Sequence, residues 1–154
     1  MPISQPIEEL FRQAVARNRA GLDQCQIESR FGEYQGCPFL KLDKANWHNR
    51  GEVTIPGEIF FSIWRDENGR INYNFHAFKL RHLTACKIQS RKFAADFRDR
   101  LQTTKQSWPN VSVAYGPLTL MQGWVENEVE IDELIAGFIL IHPIIDMLLE
   151  ENRK

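Results

Sequence analysis

The chain has 154 residues, 43% of them hydrophobic and 25% charged, with a net charge of −1. That balance excludes wholesale disorder, leaves room for a real core, and gives the whole molecule no electrostatic pull toward nucleic acid or anionic lipid. Cys25, Cys37 and Cys86 form no C-x-x-C pair or disulfide framework, and the start MPISQPIEELFRQ lacks the basic-then-apolar pattern of a secretory leader, so a cytoplasmic location is the expectation.

Residues 4–19 read as an amphipathic helix, because Ile7, Leu10, Phe11 and Ala14 recur at i, i+3, i+4 and i+7. Pro6 suits its first turn, Glu8 and Glu9 complement the positive start, and Arg17 and Arg19 the negative end. Gly21 is the expected stop. IESRFGEY and CPFLKL then read as short strands paired across Gly36, with Phe39, Leu40 and Leu42 available for burial. DKANWHNRG (43–51) has little periodicity and reads as a loop, and Pro56-Gly57 precedes the next strand.

EIFFSIW and INYNFHAF form a hairpin joined by RDENGR, and the loop length sets which side chains meet. A two-residue Asn68-Gly69 turn would set Ile63 against Asn74 and Phe61 against His76, mixing apolar with polar. A three-residue loop pairs Asp66 with Arg70, so that Ile63 meets Tyr73, Phe61 meets Phe75 and Ile59 meets Ala77. Asp at the first turn position and Gly at the fourth favour the same choice. The other face then carries Trp64 opposite Asn72, Ser62 opposite Asn74, and Phe60 opposite His76.

Residues 90–104 read as a second helix, with Ser90 as N-cap and Phe93, Ala94, Phe97 and Leu101 as its apolar stripe. VSVAY (111–115) and LTLMQGWV (118–125) read as strands. A C-terminal helix begins near Ile131, with a kink or break expected at Pro143. Its apolar residues cover more than one face, which predicts burial on several sides, in the core or in a homodimer through 134–149. The interruptions Gly137, His142, Pro143 and Asp146 keep that stretch short of a membrane span. The order predicts one α+β domain over 1–154: a single antiparallel sheet with N-terminal, middle and C-terminal helices packed mainly on one face.

The chemistry is less explicit. His48, His76, His82 and His142 offer no zinc-ligand spacing, and Glu126, Glu128 and Glu130 read as solvated surface, so no metal is expected. There is no G-x-x-x-x-G-K-[ST] loop or G-x-G-x-x-G turn, and no cofactor is implied. Cys37 and Cys86 are nucleophile candidates only beside a positive neighbour, which Cys86 has in Lys79, Arg81, His82 and Lys87; burial as an inert thiol is the simpler reading. Residues 79–105 hold eight Lys or Arg against two acids, whereas 126–154 hold eight acids against two bases. Arg91, Lys92, Arg98 and Arg100 are therefore candidate nucleic-acid contacts, against the simpler reading that the two segments face each other.

The polar row Asn72, Asn74 and His76, opposite the aromatic Trp64 and Phe60, forms a mixed surface of the kind that binds a protein partner or a small molecule. A non-catalytic binding or adaptor module using this face is the leading expectation. A small enzyme or ligand pocket centred on His76 is the second.

Overall fold

The computed structural model describes residues 6–49, 56–104, 106–112 and 118–154. Strands β1 (Glu28–Tyr34), β2 (Cys37–Asp43), β3 (Glu58–Arg65), β4 (Ile71–Phe78) and β5 (Thr119–Val125) form one antiparallel sheet in sequence order. Helices α1 (Ile7–Arg17), α2 (Arg19–Gln24), α3 (Ser90–Thr103) and α4 (Glu130–Glu151) complete an α+β fold. Alternation along the strands turns Leu40, Leu42, Ile59, Phe61, Ile63, Tyr73 and Phe75 inward, where all are fully buried. Phe138 of α4 stacks on Phe61 at 5.0 Å, and Phe97 of α3 meets Phe75 edge-on at 5.4 Å. Among the described residues, no helix is long and apolar enough to cross a membrane.

The hairpin register is the expected one: Ile63 pairs with Tyr73, Phe61 with Phe75 and Ile59 with Ala77. Asp66 N–H donates to Arg70 O at 2.9 Å, and Gly69 N–H donates to Asp66 O at 3.0 Å. Gly69 takes φ +81°, the left-handed conformation the three-residue loop requires. Asp66 Oδ1 also accepts the N–H groups of Asn68 and Arg70. The pairing of β1 with β2 across the Gly36 turn is likewise as expected.

Other expectations are corrected. Gly21 does not end the N-terminal helix; the break falls at Asn18, and Gly21 lies inside α2. A Cβ at Gly21 would stand 3.1 Å from Ile139 Cδ1, so glycine serves close approach to α4 rather than termination. Asn18 and Arg17 both bond Asp132, which clamps the break to the start of α4. Ser90 is the first helical residue rather than the cap, which is Gln89. Of the strand expected over 111–115, residues 113–115 lie outside the described residues, while Ser112 bridges Gln122 of β5.

Of the stretch 43–51, residues 50 and 51 lie outside the described residues, and 43–49 is more than a loop. Its 3-10 turn Ala45–Trp47 buries Trp47 between Phe75 and Phe138, at 5.9 and 5.7 Å. Asp146 of α4 accepts from Trp47 Nε1 at 2.8 Å, Lys44 Nζ at 2.6 Å and Asn46 Nδ2 at 3.2 Å. Burial opposes ionisation of Asp146, but these three donors outweigh it and hold its pKa below the ordinary carboxylate value.

Pro143 does not break the last helix, which runs for 22 residues. Proline removes the N–H that would bond Ile139 O. The adjacent His142 supplies the missing donor, with Nδ1 2.6 Å from that carbonyl. The apolar excess of 134–149 is absorbed within the chain, since Leu134, Ile135, Phe138, Ile141, Ile145 and Leu148 are all buried. Leu140 and Met147 remain exposed, at 70% and 55%.

Candidate functional site

Among the described residues, the helices cover one face of the sheet and leave the other open. Cross-strand pairing arranges that open face in bands. Gly32, Phe39, Trp64, Asn72 and Trp124 form one row across the five strands. Arg30, Lys41, Ser62, Asn74 and Gln122 form the next, and Phe60 with His76 a third. A polar band thus runs between two aromatic ones.

In an antiparallel meander the β1–β2 and β3–β4 turns lie at the same end of the sheet, and here they form the two sides of a trough of about 700 Å³. Tyr34 and Gln35 stand on one side, Asp66, Glu67 and Asn68 on the other. Phe39, Lys41, Ser62, Trp64 and Asn74 line the floor, and Phe60 and His76 the inner end. Such a volume falls in the range of small-molecule sites.

Of the five residues singled out on this face, Phe60, Trp64, Asn74 and His76 line the trough and Asn72 does not. Asn72 Nδ2 donates to Asp66 Oδ2 at 2.9 Å and to Arg70 O at 3.2 Å, so it braces the turn. That bond, ahead of those from the Arg70 and Asn68 N–H groups, lowers the Asp66 pKa and keeps its charge. Phe39 is corrected from a burial candidate to a trough residue. Period-two alternation separates it from Leu40 and Leu42 and joins it to Lys41. Its ring lies across Gly32, where a Cβ would come within 2.5 Å of the ring edge. Tyr34, Lys41, Asp66 and Glu67 are also absent from the sequence-based set, because nothing local reveals which turns converge.

His76 is held neutral. Burial is the main cause of its lowered pKa, only partly offset by its hydrogen bond to the Leu118 backbone and by Glu58. A neutral imidazole carries its one N–H on one nitrogen only. The other nitrogen, Nε2, lies 2.9 Å from Asn74 Nδ2, which donates to it. The ring also packs on Phe60, with centroids 4.8 Å apart. Nε2 is thus engaged by Asn74, and the ring shapes the inner end of the trough. Lys41 Nζ pairs with Glu58 at 2.9 Å and lies 4.1 Å from the Phe60 centroid.

The remaining candidates fall elsewhere. Arg100 makes a two-pronged ion pair with Glu151, both contacts 2.6 Å, and Lys92 pairs with Asp96 at 2.8 Å. Arg98 Nη2 donates to Thr119 O at 3.4 Å, while Arg91 is exposed. The basic and acidic segments therefore meet across α3 and α4. The chain's last residues reinforce this, since Lys87 N–H donates to Asn152 O at 2.8 Å and Lys154 N–H to Ala85 O at 3.1 Å. Cys86 is buried, its thiol pKa raised chiefly by desolvation, with Sγ 3.6 Å from Leu149 O. Cys37 lines the trough.

Glu28, Asp43 and His48 bring three ligand-type atoms within 4.8 Å of one another, a convergence not visible in their spacing. Arg30 Nη2 lies 3.4 Å from Glu28 Oε2, 3.5 Å from Asp43 and 3.4 Å from His48 Nε2. The guanidinium therefore already supplies the positive charge that this cluster would draw from a cation. Asp43 is nonetheless raised in pKa, because its burial outweighs Arg30.

No protein-family model matches the chain, and neither a curated protein nor a solved structure matches it.

Proposed function

We propose that this protein is a non-catalytic binding module that takes a small ligand in the trough on its open sheet face. The observation that carries this reading is the 700 Å³ concavity lined by Phe39, Phe60, Trp64, Asn74 and His76. Aromatic walls with a few polar groups are what a ligand site needs: area for affinity and hydrogen bonds for orientation. Engagement of His76 Nε2 by Asn74 supports binding over an enzyme centred on that residue. Pairing of Lys92 and Arg100 with acids removes much of the support for nucleic-acid binding through 91–100. Three cysteines outside any disulfide suit a reducing compartment.

The test is a screen of small fragments of mixed charge by amide and indole NMR of the full chain. Shifts are expected to cluster on Phe39, Lys41, Trp64, Asn74 and His76. Shifts confined to the helical side, or none at all, refute the proposal.

A second reading, homodimerisation through α4, is favoured by the exposed Ala136, Leu140, Pro143 and Met147, which share its outer face. Phe138 would have no part in it. Sedimentation should show a dimer that Leu140→Glu dissociates, and a monomer at high concentration removes the idea.

A further inference from the structure

We propose that the trough's ligand is a small organic cation of the alkylated-ammonium type, with its charged head between Tyr34, Phe39 and Trp64 at the turn end. The inference rests on the trough being the binding site and adds the chemical class.

Three observations point there. The first is the distribution of charge. Among the described residues, Lys41 is the only Lys or Arg lining the trough, and Glu58 already neutralises it at 2.9 Å. Asp66 and Glu67 stand at the opposite end beside the aromatic residues. Asp66 is kept ionised by its Asn72 and backbone donors. Glu67 is exposed and makes no ion pair or hydrogen bond among the described residues, so its carboxylate can swing toward an arriving charge. An anionic ligand would meet two carboxylates with no free cation among the described lining residues in compensation.

The second observation is what the same face does with its other rings. Lys41 Nζ lies 4.1 Å from the Phe60 centroid, and Arg70 Cζ lies 4.0 Å from that of Trp124. Negative ring faces attract cations within about 6 Å. Among the described residues, no Lys or Arg covers Phe39, Trp64 or Tyr34 in this way. Among the described rings of the open face, the three without an internal cation, Tyr34, Phe39 and Trp64, all line the trough.

The third is that the ring faces themselves carry no hydrogen-bond acceptor, the acceptors at this end, Asp66 and Glu67, standing on one side of the trough. A bare ammonium loses strong hydration and needs acceptors in return, whereas an alkylated one spreads its charge over methyl groups that pack on ring faces. Further in, the Ser62 hydroxyl and Asn74 Oδ1 offer hydrogen bonds to a polar tail, since the Asn74 amide nitrogen is committed to His76.

The experiment titrates the full chain with choline, with its neutral isostere 3,3-dimethyl-1-butanol, and with pivalate as an anion of similar bulk, following the Trp64 indole and Phe39 amide resonances. Choline should give saturable shifts, the alcohol should bind about tenfold more weakly, and pivalate should give none. Trp64→Ala should abolish the choline response. Glu67→Gln, at an exposed turn position where folding is not at risk, should weaken it about threefold and leave the alcohol unchanged. Equal binding of choline and the alcohol overturns the cationic class while leaving the trough a binding site. No choline shift at Trp64 overturns the inference, and if the mixed fragments also leave the trough untouched, the binding-module reading falls with it.

Discussion

Phe60 and Phe61 are chain neighbours on opposite faces of β3, so truncating each to alanine tests the architecture directly. Phe61 is fully buried and surrounded by aromatic rings: Phe138 at 5.0 Å, Phe75 at 5.7 Å, Trp108 at 5.9 Å and Tyr73 at 6.1 Å. Four rings held by β4, α4 and the segment at Trp108 cannot collapse together into the space. A void of roughly 100 Å³ at about 24 cal/mol per Å³ contributes ~2.4 kcal/mol, and lost transfer free energy adds about 2 kcal/mol. Phe61→Ala should therefore cost ~4 kcal/mol. Phe60, half-buried on the open face, loses its contacts with Lys41 and His76, worth about 1 kcal/mol. Urea unfolding at neutral pH reads both, as shifts in midpoint at unchanged slope. Equal costs, or a larger cost at Phe60, would refute the assignment of faces.

Asp146→Ala should cost about 2 kcal/mol in the same assay, because Trp47 Nε1 is left buried without its acceptor. His142→Ala should cost about 1–3 kcal/mol by leaving the Ile139 carbonyl unpaired beside Pro143, and the Pro143→Ala background should recover part of the loss by restoring the backbone donor. His76 and His142 are both held below the ordinary histidine pKa, burial being the first cause in each. The folded state thus binds fewer protons than the unfolded one just below about pH 6.5, so stability should be full above that value and fall with acidification, by up to ~1.4 kcal/mol per pH unit for each histidine, until the folded pKa is passed. Midpoints measured from pH 7.5 to 5.5 that stay flat would contradict the burial of both rings. Gly32→Ala should push the Phe39 ring into the trough, weakening fragment binding several-fold while changing stability by less than about 1 kcal/mol; unchanged binding would mean that ring does not shape the site.

The residues by themselves determined what is local. The β3–β4 register was legible because loop length, Asp66, Gly69 and the period-two pattern all lie within residues 58–78 and agree with one another. The same agreement identified the helical stripes and the α+β order. Phe60, Trp64, Asn74 and His76 were readable as one surface for the same reason, since a known register specifies cross-strand neighbours. The tertiary structure alone decided what depends on distant partners. Nothing near Phe39 sets its strand's register against β3, so its place beside Trp64 appears only when the two pair. Trp47 and Gly21 take their roles from Asp146 and Ile139, about a hundred residues away in the chain. Pro143 fits inside a helix because the ring before it finds the orphaned carbonyl. The trough itself is a product of two turns brought to one end of the sheet. Side-chain periodicity says which way a residue faces; concavity depends on what stands across from it, and that follows only from packing.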